Sequence, residues 1–173
     1  MIYKVSFVSA QRAVKSFLAL AIGCFGLIVA IDNIVDFQSN YTFVKHVLSM
    51  DSMQPFFHGT HLLSRAITNT TLQLLCYYFI IFGELLFGLL SFISGLLMLF
   101  KINAEQTIFN QSKVLFIIGV FVGLLIWYFG FCVIGGEYFS MWANQWNGQD
   151  KAYTFVTFLL IALLYITRPE KHD

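Results

Sequence analysis

The sequence is short of charged residues, and this shortage argues against a water-soluble domain. Charged residues make up 11% of the chain, about half the share of roughly 25% that soluble domains carry. No basic patch is present either, so we expect no nucleic acid among the partners. The net charge of +1 does not indicate any other class of partner.

The sequence also lacks the residue patterns of a metal, disulfide or cofactor site. Its three cysteines, Cys24, Cys76 and Cys132, lie in or beside apolar runs. Three is an odd number, and the spacing fits neither a disulfide framework nor a zinc site, so we assign them to packing. No histidine lies within an apolar run, which argues against a bundle that holds haem. We therefore expect no cofactor, no metal, no catalytic residue and no enzymatic activity.

Long apolar runs are abundant instead. Hydrophobic residues make up 58% of the chain, and the stretch from Leu72 to Phe100 contains a single charged residue, Glu84. A bilayer core needs about 20 apolar residues to be crossed by a helix. The sequence therefore predicts an integral membrane protein.

Four such runs predict an all-α bundle of four transmembrane helices that forms a single domain over residues 1–173. Apolar residues at helical spacing also predict a short interfacial helix at 41–50, in the first outer loop. A second one is expected between Glu137 and Asn147, in the other outer loop, because its aromatic residues lie about one helical turn apart. The four spans are expected at about 14–35, 72–100, 114–134 and 151–168.

Small residues form a stripe on three of these helices, and membrane helices associate closely through such stripes. We expect the first two helices to pack through theirs, with the opposite Phe-rich and Leu-rich face of the second helix, including Phe87, turned to lipid. Gly130 is expected on the same side of the third helix as its Gly-x-x-x-Gly motif. The predicted packing residues are Gly23, Gly26, Gly88, Ser91, Gly95, Gly119 and Gly123.

The distribution of Lys and Arg predicts the orientation, because cytoplasmic loops carry an excess of these residues. With the N-terminus inside, the inner segments hold seven and the outer segments three. Both termini are therefore expected in the cytoplasm. The inner residues are Lys4, Arg12, Lys15, Lys101, Lys113, Arg168 and Lys171, and the outer ones are Lys45, Arg65 and Lys151.

Glu84 is the one charged residue expected deep in a span. A charged side chain in hydrocarbon is costly, so it usually faces protein and is paired or neutral. One interpretation is a neutral carboxyl that locks helices together through a hydrogen bond to Asn33, Tyr128, Thr157 or Tyr165. The other is a proton or cation site.

A second group of candidates lies in the predicted outer segments. Its acidic residues could form a binding site with Arg65 and Lys45, or could tie the loops to the helix ends. Its two tryptophans indicate either a membrane-interface belt or a docking patch for a protein. His58-x-x-His61 could hold a metal if helical, but histidines are also common at the headgroup boundary. The outer candidates are Asp32, Asp36, His46, Asp51, Arg65, Glu137, Trp142 and Trp146.

Two long motifs resemble a family of predicted small integral membrane proteins known as domain of unknown function 2165. The first motif runs from Gly135 to Trp142 and is followed by Trp146-Asn147-Gly148. The second comprises Asp32-Asn33, Asp36, Asn40 and the segment 43–51, with Arg65-Ala66-Ile67 and Glu84 fitting the same pattern. The resemblance implies a bacterial inner-membrane protein with four spans, and it implies no activity.

Three functional hypotheses remain open at this stage. The first is a structural or accessory subunit that contacts lipids and binds another integral membrane protein through its outer loops. The second is a small transporter or channel that uses Glu84. The third is an enzyme or metal site on the outer face, which the residues favour least.

Overall fold

The structure is a computed structural model that describes residues 6–170. Lys4 and Lys171, which were counted for the orientation, lie outside the described residues, as do both terminal residues. Within the described part the chain is helical apart from its loops and one isolated β-bridge. The elements are α1 (Phe7–Val35), α2 (Phe37–Ser49), a 3₁₀ helix (Thr60–Arg65), α3 (Thr70–Phe100), α4 (Gln106–Gln111), α5 (Val114–Gly123), a π-helix (Leu124–Tyr138), a 3₁₀ turn (Met141–Ala143) and α6 (Gln149–Thr167).

Four of the helices within residues 6–170 are long and apolar enough to cross a membrane, which confirms the predicted fold class. They are α1, α3, the continuous stretch Gln106–Tyr138 and α6. Two of these helices have a side-chain cap at their N-terminus. The Ser6 hydroxyl accepts from the backbone N of Ser9 at the start of α1, and the Asn69 side chain accepts from the N of Leu72 at the start of α3. Such caps satisfy backbone donors that have no partner within the helix.

Helices α1 and α3 approach each other backbone to backbone along the small-residue stripes. A Cβ atom added to Gly88 would lie 2.6 Å from the backbone N of Leu27, and one added to Gly26 would lie 2.8 Å from the Cα of Gly88. No side chain fits at such distances, so glycine is what permits this approach. The close pairs are Gly23 with Phe92, Gly26 with Gly88, Gly88 with Leu27, and Gly95 with Leu20.

On its other side α3 packs against α5, and this second contact overturns one expectation. A Cβ atom added to Gly119 would lie 2.9 Å from the Ser91 hydroxyl oxygen, and one added to Gly123 would lie 3.0 Å from the Phe87 ring. Phe87 also contacts Gly26 of α1 and is fully buried. The expectation that Phe87 faces lipid is wrong, because α3 is enclosed by α1 and α5 on two sides.

The first outer loop contains the predicted amphipathic helix, α2, which begins earlier than expected. Asp36 separates α1 from α2 with φ −102° and ψ 53°, so the helix axis changes direction there. Tyr41, Val44 and Leu48 are buried on one face of α2. The apolar period of this segment therefore reflects packing onto the bundle.

The helix in the second outer loop is a single 3₁₀ turn, much shorter than the sequence predicted. Ser140 precedes it in the left-handed region, with φ 53°, which interrupts the helix. Beyond the turn the backbone bonds to the other outer loop: the N of Gln54 donates to the O of Ala143 at 2.8 Å. The N of Gln145 donates to the O of Ser52 at 2.9 Å. These bonds compete with helix formation and join the two loops.

Candidate functional site

Glu84 lies at the interface of α1 and α3, where its carboxyl group accepts a hydrogen bond. The donor is the Asn33 side-chain amide, 2.6 Å from the Glu84 Oε2. Glu84 is 2% exposed, so its carboxyl is enclosed by protein rather than by lipid. Asn33 is one of the four partners that the sequence suggested.

Tyr77, which lies nearer the outer end of α3 than Glu84, also bonds to Asn33. Its hydroxyl donates to the backbone O of Asn33 at 2.7 Å. Among residues 6–170, the side-chain hydrogen bonds of Tyr77 go only to Asn33, and no cation forms an ion pair with Glu84. The next polar side chain in this region, Gln73, accepts from the Tyr41 hydroxyl and donates to Ser49 and to the backbone O of Ile67, and it has no bond to Tyr77 or Asn33. Within residues 6–170, no continuous series of hydrogen-bonded side chains therefore connects Glu84 to the surface.

The outer surface contains a cluster of a histidine, an aspartate and a serine. The His46 Nδ1 lies 2.7 Å from the Asp51 Oδ1 and 3.3 Å from the Ser52 hydroxyl oxygen. A nucleophilic serine has to contact the ring nitrogen opposite to the one that holds the carboxylate. Here both groups contact Nδ1, so the arrangement is not that of a hydrolase.

Packing and charge hold this cluster in place. The Trp146 ring stacks on His46 with 5.1 Å between centroids, and the Asn144 amide donates to the backbone O of His46. Partial burial pulls the pKa of Asp51 upward, but hydrogen bonds from His46 and Ser52 outweigh it and lower the pKa. In the described residues no group of three His, Cys, Asp or Glu is placed to hold a metal ion. The cluster therefore joins α2 to the loop that follows it.

The other outer candidates do not converge on one site. Arg65 donates to the backbone O of Tyr138 at 3.2 Å and stacks on the Tyr138 ring, whereas Glu137 accepts from the Gln149 amide at 3.1 Å. Within residues 6–170 neither Arg65 nor Lys45 pairs with a carboxylate. These acidic residues therefore form no ion pair with Arg65 or Lys45 in the described part of the chain, and an outer binding site stays a prediction. The remaining candidates, Asp32, Asp36 and Trp142, are exposed.

Trp142 belongs to an exposed aromatic patch that both outer loops form. It is 48% exposed and stacks on Phe56, which is 60% exposed, with 6.4 Å between ring centroids. Phe57 packs against Trp142 in a T-shaped arrangement, with 6.4 Å between ring centroids. Trp142 and Trp146 were expected on one helix, but the structure separates them, and only Trp142 is part of this patch.

The sequence did not single out Glu170, which lies at the centre of a buried ionic cluster at the opposite end of the bundle. Its Oε1 accepts from Lys15 at 2.6 Å and from Lys113 at 3.0 Å. Its Oε2 accepts from the Gln106 amide at 2.6 Å and lies 3.7 Å from the Arg12 Nε. The carboxylate therefore links α1, the segment before α5, and the chain that follows α6.

Backbone carbonyls at two helix ends offset part of the positive charge of this cluster. Arg12 donates to the O of Ile102 at 2.9 Å and to the O of Ala104 at 2.7 Å, just beyond the end of α3. Lys15 donates to the O of Arg168, just beyond the end of α6. A helix C-terminus carries partial negative charge, so these carbonyls favour the buried cations.

Four apolar helices, with glycine contacts between them and a buried carboxyl at their interface, define a multi-pass integral membrane protein. The chain belongs to the family of predicted small integral membrane proteins, domain of unknown function 2165, which matches residues 11–169. Neither the curated proteins nor the solved structures include a match to this chain.

Proposed function

We propose that this protein is a structural or accessory subunit of the bacterial inner membrane that binds another integral membrane protein through its outer surface. The observation that carries the proposal is the exposed aromatic pair Phe56 and Trp142, which the half-buried Phe57 supports from below. Aromatic residues, tryptophan above all, dominate the binding energy of protein interfaces. The hydrogen bonds between the two outer loops hold this patch in one conformation, so that little entropy is lost when a partner docks.

Purification from native membranes in a mild detergent tests this proposal. The tagged parent protein is expected to carry a stoichiometric partner, and Trp142→Ala with Phe56→Ala is expected to release it. Tyr153→Ala is the matched control, because Tyr153 is a similarly exposed aromatic residue away from the patch. A parent protein that is isolated alone contradicts the proposal. A partner that survives the patch substitutions assigns the patch to the membrane interface instead.

The transporter hypothesis is favoured less because the one side-chain hydrogen bond of Glu84 within residues 6–170, to Asn33, locks two helices together. A proton pathway needs a succession of groups that exchange protons across the membrane. The bonds of Glu84 and Tyr77 both end at Asn33, which holds α1 against α3. We therefore assign Glu84 to the stability of the bundle.

Substitutions of Glu84 separate the lock from the transporter. Glu84→Ala is expected to lower the free energy of unfolding by about 1 kcal/mol, the usual scale of a hydrogen bond between membrane helices. Glu84→Gln keeps an acceptor for Asn33 and is expected to fold and to retain its partner like the parent. The measurements are thermal unfolding in detergent and ion flux in liposomes. Proton flux in the parent that Glu84→Gln abolishes, with folding intact, would establish the transporter.

We also propose that both termini lie in the cytoplasm, as the excess of Lys and Arg predicts. Arg12, Lys15 and Lys113 meet at one end of the bundle, and this end is assigned to the cytoplasmic side. A reporter that is active only in the periplasm is expected to be silent when fused after residue 173 and active when inserted after Phe57. The reverse pattern would refute this orientation.

A further inference from the structure

An apolar groove of about 550 Å³ lies between α3 and the π-helix, beneath α2. Every residue that lines it is apolar or a glycine apart from Cys76, whose thiol is a weak hydrogen-bonding group. Val47 and Leu48 of α2 form its outer wall, Cys76 and Phe79 of α3 line one side, and Phe129 of the π-helix lines the other. Such a groove fits a hydrocarbon ligand.

The groove exists because the π-helix brings two glycines into line. In a π-helix the hydrogen bonds join residues five apart, so Leu125, Gly130 and Gly135 follow one another along one face. The backbone O of Leu125 would lie 3.4 Å from a Cβ atom added to Gly130, and the O of Gly130 would lie 3.4 Å from one added to Gly135. Gly130 has no closer neighbour on another helix. At Gly130 the wall of the groove is therefore bare backbone.

The position of the groove restricts what can fill it. Its walls at 75–80 and 125–134 belong to helices that are long and apolar enough to span the membrane, so lipid rather than water surrounds them. The occupant nearest at hand is therefore an acyl chain of the surrounding lipid.

A positive charge stands near the outer end of the groove. The Arg65 guanidinium stacks on the Tyr138 ring at 5.0 Å, and that ring contacts Phe139, which lines the groove. Among residues 6–170, no carboxylate pairs with Arg65. Arginine is well suited to bind phosphate. The charge and the apolar groove together match a molecule with an anionic head and a hydrocarbon tail.

We propose that this groove binds one acyl chain of a phospholipid whose phosphate group lies against Arg65. The lipid belongs to the leaflet on the side of α2, since α2, Phe139 and Arg65 all lie toward that end of the groove. The proposal does not depend on the docking of a partner protein, because the groove and the aromatic patch consist of different residues.

Native mass spectrometry of the purified protein with added phosphatidylglycerol, or with a diacylglycerol of the same chains, tests this proposal. The parent is expected to retain one phosphatidylglycerol and to bind it several-fold more tightly than the diacylglycerol. Arg65→Gln is expected to remove this difference between the two lipids. Equal binding of both lipids by the parent would refute the contact with phosphate.

Two substitutions fill the groove from opposite walls. Gly130→Leu and Cys76→Leu are each expected to lower the bound lipid at least tenfold. Ile161→Phe adds bulk on α6, at a position 61% exposed and outside the groove, and is expected to bind like the parent. Circular dichroism and size-exclusion chromatography identify any variant that fails to fold. If one of the two groove-filling variants fails, lipid binding by the other tests the proposal.

Two results would overturn the acyl-chain site. One is parental lipid binding by a folded variant with a filled groove. The other is a parent protein that carries no lipid and instead binds a second copy of the chain or another protein. Gly130→Leu would then displace that protein.

Discussion

Replacing Glu170 by Gln is expected to lower the free energy of unfolding by about 3–5 kcal/mol, the usual cost of removing one partner from a buried ion pair. The Glu170 side chain is fully buried, and Arg12, Lys15 and Lys113 are at most 4% exposed. The substitution keeps the shape of the side chain and removes its charge. Three cations would then remain buried without their counter-ion.

The measurement is unfolding of the parent and the variant in mixed micelles with increasing denaturing detergent. Glu105→Gln is the matched control, because Glu105 is an exposed carboxylate near the same end of the bundle and makes no side-chain cap. It is expected to unfold like the parent. Equal stability of Glu170→Gln and Glu105→Gln would show that the ionic cluster does not stabilise the fold.

The contribution of Glu170 should also depend on pH. Burial pulls its pKa upward, but the hydrogen bonds from Lys15, Gln106 and Lys113 outweigh burial and lower the pKa from 4.5 to about 2. A carboxyl with a lowered pKa stabilises the fold fully above its unfolded value, and this stability is lost as the pH falls toward the folded value. The difference between parent and Glu170→Gln is thus expected to be constant above about pH 4.5 and to shrink between pH 4.5 and 2. If the difference in stability between the parent and Glu170→Gln stays constant down to pH 2, the effect comes from the shape of the side chain and not from its charge.

The four spans and the contact of α1 with α3 were predictable because both depend on local patterns. A span is recognised from its length and hydropathy. The small residues of α1 and α3, such as Gly26 and Gly88, recur at helical spacing, so they occupy one face whatever packs on it. The sequence suggested Asn33 among the polar partners for Glu84, and Asn33 lies seven residues after Gly26, on the same face of α1.

The ionic cluster could not be predicted, because it joins residues that are far apart in the sequence. Lys15 and Glu170 are separated by 155 positions, and only the packing of α1 against α6 brings them together. The sequence offered Arg12, Lys15 and Lys113 as indicators of orientation. The available signal was Glu170 itself, a carboxylate just after the last span, placed at the end where these cations gather.

The π-helix was missed because hydropathy patterns do not distinguish its period from that of an α-helix. On an α-helical period Gly130 continues the side of Gly119 and Gly123, and it was expected there. The structure places Gly119 and Gly123 against α3 but Gly130 in the groove. Because the π-helix is wound more widely than an α-helix, Gly130 no longer shares the face of Gly119 and Gly123 and lines the groove instead.

Replacing Gly88 by Leu is expected to cost at least as much as typical overpacking of a core, about 1–3 kcal/mol. Its Cβ atom would lie 2.6 Å from the backbone N of Leu27 and 2.8 Å from the backbone C of Gly26. Backbone atoms cannot rotate away as a side chain can, so α1 has to move. Leu89→Phe is the control, because Leu89 is 42% exposed on the next position of α3 and is expected to tolerate the larger side chain.

The displacement of α1 should also break the hydrogen bond between Asn33 and Glu84, since Glu84 lies one turn from Gly88 on α3. Neighbouring substitutions that disrupt the same contact are not additive. The double variant Gly88→Leu with Glu84→Ala is therefore expected to lose less stability than the sum of the two single losses, as measured by thermal unfolding in detergent. Additive losses would mean that α1 keeps its bond to Glu84 when Gly88 is enlarged. The contact between the two helices would then be able to open locally without separating them.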